Sequence, residues 1–229
     1  MKYKGVLFNI DNVLYDTKFQ KDSARINAIR AMIEAGLPVE VENSFRVLND
    51  IIAEYGTDYP MHFDKMLEKL GIKRQARVIA AGVEGYRENS RVYLQPYPDT
   101  IPTIINLRDM GCKVASISGG NAVKQWQKLI RLGVQHLFHK VLIAEEVGKE
   151  KVDKKVFQRL LDELNVSPAE TLFVGNTSDE DFRTANRLGL TTIRIRRGTT
   201  QSEEPKTAEA KPAFEVRALS EILKIVQGT

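Results

Sequence analysis

The alternation of short apolar runs with amphipathic stretches between residues 92 and 195 constrains the fold of this chain more than any other feature. The runs have the composition of strands buried on both faces, and the stretches between them carry apolar residues at helical spacing. Successive strands that are connected through helices lie parallel to each other. The pattern therefore predicts an α/β fold with a doubly wound, Rossmann-like parallel sheet. The predicted strands are Gly5 to Ile10, Lys113 to Ile117, Val141 to Ala144, Thr171 to Val174 and Thr191 to Ile195.

Residues from about 18 to 91 interrupt this alternation, because they contain helical patterns and no strand. An all-helical insert after the first strand is typical of a cap domain. We therefore expect a core domain of residues 1–17 and 92–229 and an all-helical cap domain of residues 18–91. The helices predicted in the insert are Asp22 to Ala35, Glu42 to Glu54, Phe63 to Leu70 and Ala76 to Asn89.

The core domain is predicted to contain further helices and one long loop. Asp99 has the position and side chain of an N-cap for the first of these helices. The polar composition from Gly198 to Pro212 is typical of a flexible loop. The predicted core helices are Asp99 to Met110, Asn121 to Leu132, Val156 to Leu164, Asp179 to Leu188 and Leu219 to Val226.

Composition and charge indicate an ordinary globular protein. The formal net charge is +4, but basic and acidic residues are interleaved, and no nucleic-acid-binding motif is visible. The first apolar run is too short for a signal peptide, and no run is long enough to cross a membrane. Cys112 is the single cysteine, so the chain cannot form an internal disulfide. We therefore expect a cytoplasmic protein with neither a nucleic-acid nor a membrane partner, whose oligomeric state stays open.

Polar residues follow the predicted strands at the points where the strands end. The carboxyl ends of parallel strands meet at one edge of the sheet, and ligands of such sheets bind there. Carboxylates, a hydroxyl, a lysine and a glycine-rich turn at one edge suit a phosphate group. The residues concerned are Asn9, Asp11, Ser118, Gly119, Gly120, Lys151, Asn176, Asp179, Glu180 and Asp181.

The turn Ser118-Gly119-Gly120 allows two interpretations. Because it precedes a helix, its backbone amides and the positive end of the helix could bind an anion, with the hydroxyl as a further donor. A serine-glycine turn at this place can equally be a helix cap without any ligand. Its position relative to the other strand ends favours the first interpretation.

These segments together resemble the four sequence motifs of the haloacid dehalogenase (HAD) superfamily. Residues Phe8 to Leu14 match the first motif, Asp-x-Asp-x-Thr/Val-Leu, except at its first position. Ser118 matches the second motif and Lys151 the third, and Gly175 to Asp181 match the fourth with an asparagine in place of an aspartate. Further segments are similar to a group of archaeal HAD proteins described as glyceraldehyde 3-phosphate phosphatases, and to N-acylneuraminate 9-phosphatases. Those segments are Gly36 to Pro38, His62 to Asp64 and Val123 to Trp126.

The resemblance implies a magnesium-dependent phosphatase mechanism and a small phosphorylated metabolite as substrate. An aspartate at position 9 would attack phosphorus and form an aspartyl-phosphate. Asp11 would protonate the leaving alcohol and later activate water. Ser118, with the Gly119 and Gly120 amides, and Lys151 would hold the phosphoryl oxygens.

The same resemblance implies where the metal would bind. Magnesium would lie between residue 9, the backbone carbonyl of Asp11 and residue 176, with Asp181 nearby. This chain departs from the pattern at two of those positions, where it has Asn9 and Asn176. Asn9 is a poor nucleophile, and Asn176 removes an anionic ligand, so both hydrolysis and magnesium binding are expected to weaken. Phosphate could instead bind without metal, because amides repel a dianion less than carboxylates do.

Two origins of Asn9 remain open: an engineered exchange that traps an enzyme, or natural divergence, which the second exchange at Asn176 favours. Three functions are consistent with the sequence. The first is a phosphomonoesterase that turns over at least after Asn9→Asp. The second is a degenerate phosphatase that binds a phosphometabolite or a protein partner without hydrolysis. The third, haloacid dehalogenation, uses the same aspartate and is disfavoured by the acidic fourth motif.

Overall fold

A computed structural model, which describes residues 2–176, 179–198 and 204–228, contains a parallel β-sheet. Every pair of neighbouring strands in it is parallel. The strands are β1 (Gly5–Phe8), β2 (Lys113–Ser118), β3 (Lys140–Ile143), β4 (Thr171–Gly175), β5 (Thr191–Ile195) and β6 (Phe214–Val216). Their order in the sheet is β3-β2-β1-β4-β5-β6. The α/β class with a doubly wound parallel sheet is thereby confirmed.

Helices precede, connect and follow these strands. They are α1 (Thr17–Glu34), α2 (Val41–Tyr55), α3 (His62–Lys69), α4 (Ala76–Val92), α5 (Thr100–Asp109), α6 (Ala122–Arg131), α7 (Lys154–Leu164), α8 (Asp179–Leu188) and α9 (Glu221–Gln227). None of the helices in the described ranges is long and apolar enough to cross a membrane.

Both faces of the sheet are buried, which explains why its strands are almost continuously apolar. Successive side chains of a strand point to opposite faces. Accordingly, Val6 and Phe8 of β1 belong to one buried cluster, together with residues of α5, α6 and α9. Leu7 belongs to the other cluster, with Phe157 of α7 and Phe182 of α8.

Strand β1 lies at the topological switch point of the sheet, where the strand order reverses. From β1 the order runs through β2 and β3 on one side, and through β4, β5 and β6 on the other. Phe8 is level with Ser116 of β2 and with Val174 of β4. A crevice forms outside the carboxyl ends of the strands at such a point and is the usual ligand position in open α/β sheets. Asn9, Ser118 and Asn176 therefore belong to the same region of the sheet edge.

The chain divides into two compact units. One contains the sheet and comprises the chain up to Lys18 and again from Leu94, and the other comprises Phe19–Tyr93. The second unit has its own apolar core, to which each of its helices contributes two buried side chains. That the unit acts as a cap stays a prediction. The eight side chains are Ile29, Met32, Leu48, Ile51, Met66, Leu67, Val78 and Ile79.

Helix α1 begins earlier than its apolar periodicity predicts, at Thr17 rather than at Asp22. The Thr17 backbone N–H donates to the side-chain oxygen of Asn12 at 3.3 Å, and the Asn12 N–H donates to the Thr17 hydroxyl at 3.1 Å. This reciprocal pair closes the loop after β1 and starts the helix there. It depends on polar side chains, so apolar spacing does not reveal it.

The prediction that Asp99 caps α5 is wrong. Asp99 precedes the helix but makes no side-chain capping hydrogen bond. Its carboxylate instead accepts from the Arg197 guanidinium at 2.9 and 3.2 Å and from the Leu219 N–H at 2.6 Å. A charged partner that is 98 residues away in the chain competes successfully with the local amides.

The predicted polar loop from Gly198 to Pro212 lies partly outside the described residues, since 199–203 are not among them. Its described part includes a short 3-10 turn, Ala208–Ala210, in which Ala210 is buried. Residues 177 and 178 of the fourth motif are also outside the described ranges.

Candidate active site

Asn9 directly follows β1 and is attached to the neighbouring strand. Its backbone N–H donates to the Val174 carbonyl oxygen of β4 at 3.0 Å. Its side-chain oxygen accepts from the N–H of Ile10 at 2.7 Å. The position predicted for a nucleophile thus holds a neutral amide whose oxygen already accepts a hydrogen bond. Such an oxygen does not attack phosphorus.

Asp11 binds a lysine that the sequence analysis did not identify. The Lys128 ammonium of α6 donates to both carboxylate oxygens, at 2.7 and 2.8 Å. The hydroxyl of the buried residue Tyr15 donates to the same carboxylate at 2.6 Å. Both carboxylate oxygens of Asp11 therefore already accept hydrogen bonds from this chain. A lysine in a helix is ordinarily a solvent-exposed residue, so the sequence offered no distinctive signal for this contact.

The Ser118 hydroxyl is buried at the end of β2. Only 2% of the residue is exposed, and its Oγ has no hydrogen-bond partner among the residues that the structure describes. Helix α6 is capped by Asn121, whose side chain accepts from the Lys124 N–H at 3.0 Å. The interpretation of Ser118 as a helix cap is therefore wrong. A buried hydroxyl without a partner costs about 1–3 kcal/mol, and a ligand oxygen that accepted from it would recover that cost.

The glycines after Ser118 bring the second motif against the segment that carries Lys151. Gly120 has a φ of +80°, which favours glycine, and its N–H donates to the Glu150 carbonyl oxygen at 3.2 Å. A side chain at Gly119 would begin 3.3 Å from the same oxygen. Gln125 of α6 donates to the Gly119 carbonyl oxygen at 3.0 Å and so holds the turn from the helix side.

Lys151 is largely exposed, with 75% of its side chain accessible, and its ammonium lies 3.3 Å from a carboxylate oxygen of Glu180. Val152 next to it is buried, which fixes the backbone. Because an exposed ion pair of this kind is weak, Lys151 can leave Glu180 for an anionic ligand at little cost.

Asn176 follows β4 and is 97% buried. Its side-chain amide donates to the backbone carbonyl oxygens of Ile195 and Arg197, at 2.9 and 3.0 Å. The backbone carbonyl oxygen of Asn176 accepts from the guanidinium of Arg194 at 3.1 Å. Both amide hydrogens therefore serve the connection between β4 and the end of β5. Asp181 lies on α8, partly buried.

Arg197 holds the loop after β1 through several contacts. Its guanidinium binds Asp99, donates to the Val13 carbonyl oxygen, and lies 3.7 Å from the ring centroid of Tyr97. Burial raises the pKa of Tyr97 to about 12, and the nearby Asp16 carboxylate adds to this shift. This cluster was not predictable from the sequence, because Arg197 lies far along the chain from Val13, Tyr97 and Asp99.

The residues at this edge do not fit a magnesium ion. Magnesium prefers carboxylate oxygens and keeps several waters. Here Asn9 and Asn176, which take the place of two carboxylates, are neutral, and both amide hydrogens of Asn176 are donated to backbone carbonyls. Across the described ranges, no group of three or more His, Cys, Asp and Glu residues is arranged to hold a metal ion.

The fold defines a doubly wound α/β protein with polar residues gathered at its topological switch point. The chain belongs to the haloacid dehalogenase-like hydrolase family, whose model matches residues 3–189.

Comparison with curated proteins gives relatives over nearly the full length. A protein from Methanopyrus kandleri named glyceraldehyde 3-phosphate phosphatase is 45% identical, over 98% of this chain and 97% of that protein. A protein of the same name from Methanocaldococcus jannaschii is 34% identical over 98% of this chain and 97% of its own length.

Solved structures of other family members share the fold. The HAD-hydrolase YfnB from Bacillus subtilis, bound to magnesium, matches with a TM-score of 0.67 at 20% identity, over 99% of each chain. A HAD phosphatase from Thermococcus onnurineus matches with a TM-score of 0.62 at 24% identity, over 98% of each chain.

Proposed function

We propose that this chain is a phosphomonoester hydrolase by descent that binds a small phosphorylated metabolite, with turnover limited by Asn9. The observation that carries the proposal is the buried Ser118 hydroxyl, which has no partner in the described part of the chain and stands beside a glycine turn. A phosphoryl oxygen would accept from this hydroxyl and from the backbone amide of Gly119, whereas the amide of Gly120 already donates to the Glu150 carbonyl oxygen. We place the protein in the cytoplasm.

The substrate class that we propose is a triose phosphate. The relatives with full-length similarity are named glyceraldehyde 3-phosphate phosphatases, which makes this compound the first to test. We further propose that the helical unit Phe19–Tyr93 acts as a cap that selects the organic part of the substrate.

Restoring the carboxylate tests the hydrolytic role. In Asn9→Asp, a carboxylate oxygen would attack phosphorus while the ester P–O bond breaks, and a protonated Asp11 would give its proton to the leaving alcohol. Asp11 would then accept a proton from water as the water attacks the aspartyl-phosphate, which releases phosphate and regenerates the carboxylate. By analogy with the loss of a protease nucleophile, the chain itself should be slower than this variant by on the order of 10⁴- to 10⁶-fold.

The experiment measures phosphate release from glyceraldehyde 3-phosphate and from p-nitrophenyl phosphate, with and without added magnesium. It compares the chain with Asn9→Asp and with Asn9→Ala, which alters the same position without supplying a carboxylate. Turnover in Asn9→Asp alone supports the proposal. Equal rates in both variants would show that residue 9 does not carry the reaction.

A second candidate function is phosphometabolite binding without hydrolysis. It is favoured by the Asp11–Lys128 pair and by the role of Asn176 in the connection between β4 and β5. This candidate predicts that Asn9→Asp and the double variant Asn9→Asp, Asn176→Asp release no phosphate, while calorimetry detects phosphate binding. A chain that neither binds phosphate nor gains turnover contradicts both candidates.

A further inference from the structure

Lys128 holds the carboxylate that follows β1. Its ammonium lies 2.7 and 2.8 Å from the two oxygens of Asp11. Only 24% of the Lys128 side chain is exposed, against 39% for Asp11. An ion pair with this degree of shielding is screened less than one on the open surface. Lys128 is therefore a fixed part of this edge of the sheet.

The charges around Lys128 differ from those of a metal site. Asn9 and Asn176 contribute no negative charge, and the ammonium neutralises Asp11. Helix α6, which carries Lys128, begins directly after the Ser118 to Gly120 turn and adds the partial positive charge of its N-terminus. These groups reduce the repulsion that a phosphate dianion would meet at the end of β1, and they offer little to a divalent cation.

We propose that Lys128 is the fixed cation of this site and supplies the positive charge that a metal ion would otherwise supply, so that phosphate binds without magnesium. The proposal rests on the proposed function, because it requires phosphate to bind at this edge. A tethered ammonium needs no stripping of a tightly held water shell, whereas magnesium loses its waters reluctantly. Lys128 is a positioning residue for Asp11 and a charge partner for the ligand.

The test is titration calorimetry of the full chain with inorganic phosphate, in a buffer with EDTA and in a buffer with magnesium. We expect the same phosphate affinity in both, within about threefold, because the fixed ammonium replaces the metal. Lys128→Met should weaken phosphate binding in EDTA by about tenfold or more, as expected for the loss of one charge-assisted hydrogen bond. The matched control is Lys124→Met, on the same helix but exposed, and it should leave the affinity unchanged.

A second measurement separates a charge role from a merely structural one. In Lys128→Met the Asp11 carboxylate loses its ammonium, so phosphate binding should become stronger when magnesium is added. Lys128→Arg should restore metal-free binding, because it keeps the charge. If Lys128→Met does not fold, Asp11→Asn provides the test: it frees the ammonium for the ligand and should strengthen metal-free phosphate binding.

The outcomes are distinct. Phosphate binding that requires magnesium in the unaltered chain overturns the role of Lys128 and leaves the proposed function standing. Equal effects of Lys128→Met and Lys124→Met, or an Asp11→Asn variant that binds phosphate more weakly in EDTA, also overturn it. The absence of phosphate binding in either buffer overturns the proposed function, and the inference about Lys128 with it.

Discussion

The side-chain amide nitrogen of Asn176 lies 2.9 Å from the backbone carbonyl oxygen of Ile195. A second hydrogen bond from the same amide, to the Arg197 carbonyl oxygen at 3.0 Å, uses its other hydrogen. The surroundings of this side chain therefore require a hydrogen-bond donor. A carboxylate at this position would place its lone pairs against those of two carbonyl oxygens, which an asparagine avoids.

We expect Asn176→Asp to lower the free energy of unfolding by about 2–4 kcal/mol. Two hydrogen bonds are lost, and a buried negative charge is left facing two acceptors. Urea unfolding followed by circular dichroism measures the difference. If magnesium occupied this region in the variant, its addition would recover much of the loss, so the unfolding curves should be recorded with and without the ion.

Asn186 provides a matched control for this substitution. Its amide also donates to two backbone carbonyls, those of Glu209 and Lys211, at 2.7 and 3.0 Å, but in an exposed setting. Water can solvate a carboxylate there, so Asn186→Asp should cost about 1 kcal/mol or less. Equal losses in the two variants would show that burial is not what makes Asn176 sensitive.

The fold was predictable from the sequence because the information lies in local patterns. The strand at Thr191–Ile195 and the helix at Asp179–Leu188 begin and end at the predicted residues. Buried parallel strands are short and apolar, and the amphipathic helices cover both faces, so the periodicity of the chain reports the architecture. The polar residues at strand ends follow from the same reasoning, since parallel strands present their carboxyl ends together.

The partners of those polar residues were not predictable. Lys128 is 117 positions away from Asp11 in the chain, and Arg197 is 98 positions away from Asp99. The sequence does not distinguish a lysine on an amphipathic helix that binds a partly exposed carboxylate from a lysine that faces solvent. Long-range polar contacts depend on how the fold packs, and the apolar periodicity of the sequence does not predict them.

The Asp99–Arg197 pair should be strongly coupled in stability. Its side chains are only 22% and 12% exposed, and it joins the start of α5 to the end of β5. A double-mutant cycle with Asp99→Asn and Arg197→Met should give a coupling free energy of about 1–3 kcal/mol. The exposed pair Arg187–Glu209, at 2.6 Å, is the control and should give less than about 1 kcal/mol. Similar values for both pairs would contradict a role of burial.

The titration of Tyr97 should make the free energy of unfolding depend on pH in the alkaline range. Burial, followed by the Asp16 charge, raises its pKa from 10.0 to about 12. The unfolded chain therefore loses this proton first, so the contribution is complete below pH 10 and is lost as pH rises toward 12. The stability difference between the chain and Tyr97→Phe should shrink over this window, as measured by urea unfolding. A constant difference would argue against the shifted pKa.

Gly120→Ala should impair both stability and phosphate binding. Gly120 has a φ of +80°, so a side chain there costs about 1–2 kcal/mol, and any relief moves the N–H that donates to Glu150. Gly133 at the far end of α6 has a φ of +70° with open space around it, so Gly133→Ala is the matched control. Thermal unfolding should show similar losses for both variants, but calorimetry should show weaker phosphate binding for Gly120→Ala alone. The two substitutions impose the same kind of backbone strain. Weaker phosphate binding in Gly120→Ala alone would therefore show that the turn contacts the ligand, and equal affinities in both variants would show that it does not.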